Sequence, residues 1–330
     1  MRARWSPPLV VLLSVSMLAA CGADEESTDS TTDEADAGTD SGGGGGQTDG
    51  SGAGEGSGTP DEGSTDEPVV PEGPQPNAPF EPTAGSCTPF TAGTNSMTSY
   101  DQARTFDVYL PDDPEGAALL FAWHGAGDSA GNFGRAIDAQ GIADEFDTVV
   151  VVPNALSAEE AFSWQIFAAA DQDIDLKFFD DILACAVETL GVDNRYVYTT
   201  GFSAGALWST YLVLQRSEWL SAAVIFSGGV SSFTFPYETP ARQIPVILTH
   251  GGPSDQVAVP FNQAQEDLAA GLAADGHVVF LCDHGRGHTI PSEAPDFAFP
   301  FLFETPFGVL SERYQGDVPS DWPTWCERVR

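Results

Sequence analysis

Three residue types that can turn a hydroxyl into a nucleophile occur along this chain in a usable order: Ser203, Asp255 and His288. A serine hydroxyl attacks poorly at neutral pH unless an imidazole takes its proton and a carboxylate orients the imidazole. Ser203 sits in Gly201-Phe202-Ser203-Ala204-Gly205, after the apolar run Tyr196 to Thr200 and before a helix-prone segment that includes Ala204 and Leu207. A serine raised on a sharp strand-to-helix turn leaves no room for side chains two positions to either side, and Gly201 and Gly205 carry none. Such a turn aims the Ala204 N–H at the space above the hydroxyl. The glycine-rich run His124 to Phe133 follows another strand-like segment ending at Trp123, and its Ala126 N–H is the second expected donor. The chemistry these groups support is acyl transfer through a covalent serine intermediate, with no metal and no cofactor.

Competing residues sharpen the assignment. Asp255 lies past the strand-like run that ends near His250, inside His-Gly-Gly-Pro-Ser-Asp-Gln-Val, and His288 lies after the last strand, inside Gly-Arg-Gly-His-Thr-Ile-Pro. Asp283 and His284 come at once after that strand, too early to reach back over a sheet, whereas Gly285 and Gly287 give His288 slack. Asp283 is the reserve acid. His277 opens a strand and is expected at the surface or an edge. His250 and His124 each precede a glycine, where they are expected to brace loops. His124 is also a candidate substrate contact, together with Trp164 in the run Phe162 to Phe167. A second aromatic run, Phe297 to Phe307, would line an apolar pocket or, as is commoner for aromatics in such number, fill core.

The elements that must position these residues are legible as apolar runs at Thr105 to Leu110, Ala117 to Trp123, Thr148 to Val152, Tyr196 to Thr200, Ala222 to Phe226, Pro245 to Thr249 and His277 to Cys282. Nearly continuous Val, Ile, Leu, Phe and Ala fit parallel strands covered on both faces. Between them, Asp175 to Leu190 puts Phe178, Ile182, Ala186 and Leu190 on one side and stops at Gly191, and Phe261 to Asp275 is a second helix ending at Gly276. The alternation predicts an α/β domain with a mostly parallel, doubly wound sheet flanked by helices.

The chain has 330 residues, but its beginning reads differently. Arg2 and Arg4 precede the apolar Leu9 to Leu18, and Leu18-Ala19-Ala20-Cys21 closes the segment. This run resembles the lipobox of bacterial lipoproteins, in which residues 1–20 are removed and Cys21 carries lipid. From Gly22 to Ser86 the chain is Gly, Ser, Thr, Pro and 16 Asp or Glu with no Lys or Arg, a composition that cannot bury enough surface to order itself. Residues 21–86 are therefore expected to be an extended, lipid-anchored tether, and 87–330 a single catalytic domain. The formal charge of −37 excludes polyanionic partners such as nucleic acid, and the expected membrane contact is through the N-terminal lipid alone. Cys87, Cys185, Cys282 and Cys326 form an even set suited to two disulfides in any of three connectivities, of which Cys87 with Cys326 would clasp the domain ends.

The strand-His-Gly-x-Gly run at His124, the segment Val192 to Gly205, the His-Gly…Asp…Val-Pro run at His250 to Pro260, and Gly285 to Pro291 together resemble a family. It is that of exported α/β-hydrolase-fold esterases of the polyhydroxybutyrate depolymerase and feruloyl esterase group, with acetylxylan esterases as neighbours. The resemblance implies that Ser203, Asp255 and His288 are a triad and that small-molecule or polymeric esters are the substrates, and since no stretch of the sequence reads as a large lid insertion, an open cleft is expected. Feruloyl, aryl or short acyl esters and hydroxyalkanoate oligomers are the classes in view, on a protein facing the exterior from the outer membrane or cell surface. Two departures stand out: Ala206 replaces a frequent glycine, and the acid loop is about one residue longer than usual. A serine peptidase, an acyltransferase or a catalytically silent binding lipoprotein are the alternative readings.

Overall fold

A computed structural model describes residues 74–156, 163–166 and 173–330. The signal-like segment, Cys21, the tether as far as residue 73, and the aromatics Phe162 and Phe167 lie outside the described residues. The elements in chain order are β1 (Gly93–Ser99), β2 (Gln102–Tyr109), β3 (Ala118–Trp123), α1 (Ala130–Ala136), α2 (Ala139–Phe146), β4 (Thr148–Pro153), α3 (Ile174–Leu190) and β5 (Val197–Phe202). They continue through α4 (Ala204–Arg216), β6 (Ala222–Phe226), β7 (Val246–His250), the short pair β8 (Gln256–Val257) and β9 (Val259–Pro260), α5 (Phe261–Ala274), β10 (Val279–Asp283), α6 (Ala294–Phe303) and β11 (Cys326–Val329).

Among the described residues, nine strands form one sheet in the order β1-β2-β4-β3-β5-β6-β7-β10-β11. Neighbours from β4 through β10 are parallel, while β1, β2 and β11 flank them antiparallel. Strands that all point one way finish at one edge, so Trp123, Phe202, Phe226 and His250 deliver their connections to the same side of the molecule. The near-continuous apolar character of these strands follows from cover on both faces. Leu119, Phe121, Trp123, Ala223, Ile225 and Leu248 pack toward α3, α4 and α5. Their alternates Leu120, Ala122, Val224 and Ile247 pack toward α1, α2 and α6. Each large apolar side chain so buried contributes about 1.5–3 kcal/mol relative to exposure.

Several elements differ from expectation. β1 is a polar, largely exposed edge strand, so it carries no apolar run to betray it. By contrast, the aromatic run beginning at Phe297 follows the commoner of its two readings: Phe297 and Phe301 of α6 are buried against Phe280, Tyr314 and Trp322 in the second core. His277, expected at the surface, is buried, with Nδ1 close to the Ile244 backbone; burial lowers its pKa.

The disulfides are Cys87–Cys185 and Cys282–Cys326. The clasp from Cys87 to Cys326 is not formed, because β11 pairs with β10 and places Cys326 opposite Cys282 in the ladder. Cys87 instead ties the N-terminal segment to α3. That segment is laid on the domain well before residue 87. Asn77 bonds Glu218, the Trp219 indole donates to the Ala78 carbonyl at 3.0 Å, Phe80 packs on Trp219, and the Thr83 N–H donates to Asp181 at 2.7 Å. The acidic, glycine-rich composition stops short of this stretch, and Phe80, which packs on Trp219, is the first aromatic residue after the N-terminal apolar run.

Candidate active site

The serine corner is built locally. β5 ends at Phe202 and α4 begins at Ala204, leaving Ser203 between them with φ 57° and ψ −118°. A non-glycine residue at such a φ is strained by about 1–3 kcal/mol and persists only where its surroundings hold it. Here the Ser203 N–H donates to the Phe226 carbonyl at 3.1 Å, and its carbonyl accepts from the N–H groups of Ala206 and Leu207. The flanking glycines leave no alternative residue: a Cβ on Gly201 would stand 2.4 Å from the Gly205 carbonyl oxygen, and one on Gly205 would stand 2.0 Å from that of Trp123.

The acid and histidine arrive from farther away. Asp255 follows β7 through a tight turn at Gly252–Ser254 and is wholly buried. One carboxylate oxygen accepts from His288 Nδ1 at 2.7 Å. The other accepts from the Ser227 hydroxyl at 2.8 Å and the Gly251 N–H at 2.9 Å. Burial alone would raise the Asp255 pKa, but the hydrogen bonds from His288, Gly251 and Ser227 outweigh it and hold the carboxyl below its ordinary value. His288 reaches over on the connection from β10 to α6. Its loop is registered by backbone, with the Gly287 N–H donating to the Gly251 carbonyl at 3.0 Å. A Cβ on Gly251 would fall 1.9 Å from the Gly287 oxygen. The imidazole is held between the rings of Phe202 and Phe261, at centroid distances of 4.7 and 4.9 Å. Its Nε2 lies 2.9 Å from Ser203 Oγ.

The loop after β3 packs against the serine: a Cβ on Gly125 would be 3.5 Å from that of Ser203. Among the described residues the N–H groups of Ala126 and Ala204 have no hydrogen-bond partner, and Ala204 opens α4, where the helix presents its positive end. His124 and Trp164 are turned into the protein rather than toward solvent. Trp164 is 2% exposed and donates its indole N–H to the His124 carbonyl at 3.0 Å. His124 is buried, bonded through Nδ1 to the Gly125 carbonyl, and accepts the Ala155 N–H at Nε2. Burial lowers its pKa, so it stays neutral and braces the donor loop. Ser163 adds a bond to the Gly127 N–H, and aromatic edge contacts with Trp123 complete the support.

The rival residues stand elsewhere. Asp283 is 52% exposed and accepts the Gly285 N–H. His284 is buried and accepts the Arg286 N–H, with burial lowering its pKa. His250 accepts the Gly252 N–H within its own turn. Three contributors were not legible beforehand: Ser227, Phe261 and the Gly251–Gly287 contact. Only topology could have found Ser227, because it directly follows β6, the strand between those of the serine and the acid. Among the described residues no group of three or more His, Cys, Asp or Glu is placed to hold a metal ion.

Comparison with known proteins places this geometry in context. A family model described as phospholipase/carboxylesterase matches residues 103–302. Feruloyl esterase D of Neurospora crassa is 30% identical over 142 residues, which amounts to 38% of this chain and 46% of that protein, so the match spans under half of the relative. The native crystal structure of pOPH superposes with a TM-score of 0.61 at 18% identity over 74% of this chain and 97% of that one. A ferulic acid esterase gives 0.52 at 14% identity over 64% and 96%. At these identities the structural likeness speaks for the fold.

Proposed function

Because this chain belongs to the phospholipase/carboxylesterase family and has an α/β-hydrolase fold, we propose that it hydrolyses carboxylic esters through an acyl-enzyme on Ser203. The observation that carries the reading is the unbroken hydrogen-bonded line from Ser203 Oγ through both ring nitrogens of His288 to buried Asp255. In the first half-reaction the Ser203 oxygen bonds to the ester carbonyl carbon while its proton passes to His288 Nε2. The carbonyl oxygen takes up negative charge between the Ala126 and Ala204 N–H groups. Collapse breaks the bond to the alkoxy group, which leaves as the alcohol with the proton from His288. Water then repeats the sequence on the acyl-enzyme, giving up its proton to His288 and releasing the acid. Asp255, ionised through the working pH range, keeps the Nδ1 proton in place and offsets the charge of the imidazolium.

Aryl esters of the feruloyl type lead the substrate classes, since a relative carries the name feruloyl esterase D. Short acyl esters and hydroxyalkanoate oligomers follow. We also propose export and lipid anchoring at Cys21. Two disulfides suit an oxidising compartment, and the Leu18-Ala19-Ala20-Cys21 run suits lipidation. A fluorophosphonate probe with p-nitrophenyl esters, methyl ferulate, hydroxybutyrate oligomers and a peptide substrate tests the chemistry. The expected result is labelling of Ser203 and turnover of esters. Folded protein that takes up no label would return the molecule to the binding-module reading. Cys21→Ala is expected to shed the protein from the membrane fraction.

A further inference from the structure

We propose that Ser227 is a positioning residue for the acid, a role that rests on the Ser203–His288–Asp255 reading. Four adjacent strands, β5, β6, β7 and β10, lead at one edge of the sheet to Ser203, Ser227, Asp255 and His288. Ser227 fills the gap between the serine strand and the acid strand. Its hydroxyl donates to the Asp255 oxygen that His288 does not use, at 2.8 Å, and both residues are wholly inaccessible to solvent. No water competes for that bond, and a hydrogen bond to a charged acceptor in such a place is among the stronger ones. With one oxygen fixed by Ser227 and the Gly251 N–H, the carboxylate cannot turn, and its other oxygen is left aimed at Nδ1 of His288.

The backbone shows what holding a side chain here costs. Ser227 has φ 58°, a region that glycine enters without strain, and the next two residues are Gly228 and Gly229. Its N–H donates to the Thr249 carbonyl at 2.8 Å, so pairing with β7 holds the strained residue beside the strand that carries the acid. A buried serine with no role in orientation could bond a nearby carbonyl and leave this position to glycine. Among the described residues, the charges that bear on Asp255 include those of His288 and His284, both on the connection after β10, and His250 and Asp283 stand 3.7 Å apart at the ends of β7 and β10.

Ser227→Gly removes the hydroxyl and fits the backbone. The expected outcome is a fall in kcat of about tenfold with KM within about twofold, as for loss of one charge-assisted hydrogen bond felt mainly in the transition state. The acid limb of the kcat/KM profile should move to higher pH, because a carboxylate with one donor fewer lets the coupled Asp255–His288 pair bind its proton more tightly. Ser227→Cys, with a weak donor, should lie between the two. Wild-type kinetics in Ser227→Gly would overturn the proposal, as would a fall in kcat with an unmoved acid limb and a lowered Tm, the pattern of a packing role. If Ser227→Gly does not fold, the acid limb of Ser227→Cys decides in the same way. Ser203→Ala assayed alongside separates the two readings: its retained activity would sink the triad itself, whereas its loss beside an unaltered Ser227→Gly would sink only the role of Ser227.

Discussion

The serine corner and the acid–histidine corner meet across 2.9 Å, yet they are held by different means. At the serine, the steric contacts join Gly201 to Gly205 within one turn and Gly205 to the backbone of Trp123 on the adjacent strand β3, all inside the sheet and the helix that the turn links. At the acid and histidine, the contacts join Gly251 to Gly287, Ser227 to Asp255 and Asp255 to His288, all between separate connections of the sheet. A local turn forms or fails together with the strand and helix it links. A corner assembled from distant loops can drift while the sheet stands. Damage at the first should therefore appear as lost fold, and damage at the second as lost turnover in a folded protein.

Removing the reacting groups gives the largest effect. His288→Ala is expected to lower kcat by about 10,000-fold or more with the thermal transition retained, measured on p-nitrophenyl butyrate beside Ser203→Ala. Asp255→Asn should cost about 1,000- to 10,000-fold, because the amide favours the wrong imidazole tautomer. It also carries a pH signature. The folded-state pKa of Asp255 is depressed, so its ionised form adds stability above the unfolded carboxyl pKa and that contribution is lost as pH falls through the folded value. The gap in unfolding free energy between wild type and Asp255→Asn should be widest near neutrality and close in acid.

The glycines set the two corners directly against each other. Gly205→Ala should destabilise by about 3 kcal/mol or more, or abolish soluble protein, since its Cβ collides with the β3 backbone. Gly251→Ala should leave circular dichroism native-like but lower kcat by about 100-fold, as displacement of the Gly287 loop moves the imbedded imidazole away from the hydroxyl. Equal loss of fold in both variants would erase the distinction. The smallest effect belongs to His284→Ala, at about threefold in kcat, through the Arg286 N–H it leaves unpaired beside the His288 loop.

The same division explains what could be read in advance. The parallel strands announce themselves because burial on both faces demands unbroken apolar runs, and the elbow because its glycines are neighbours in sequence. α3 and α5 are legible from their periodicity and stop signals. β1 was hidden by its polarity, and the aromatics of α6 gave no sign of which side of the sheet they would fill. Trp164 and His124 are candidates for substrate contact in the sequence because a large side chain in a loop near a site reads the same whether it faces a ligand or supports the backbone, and the bracing expected of His124 is the role it has. Their hydrogen bonds decide for support. Disulfide pairing was beyond reach for a related reason: Cys326 meets Cys282 only through the register of β11 on β10.

The N-terminal segment comes to rest on Glu218 and Trp219, below the far end of α4, and the C-terminal strand finishes beside the start of β10. Both tails therefore leave from the floor of the molecule, and Ser203 opens at its roof. Attachment to a support through either chain end is therefore expected to leave turnover at Ser203 unchanged, which immobilisation by each end in turn would check.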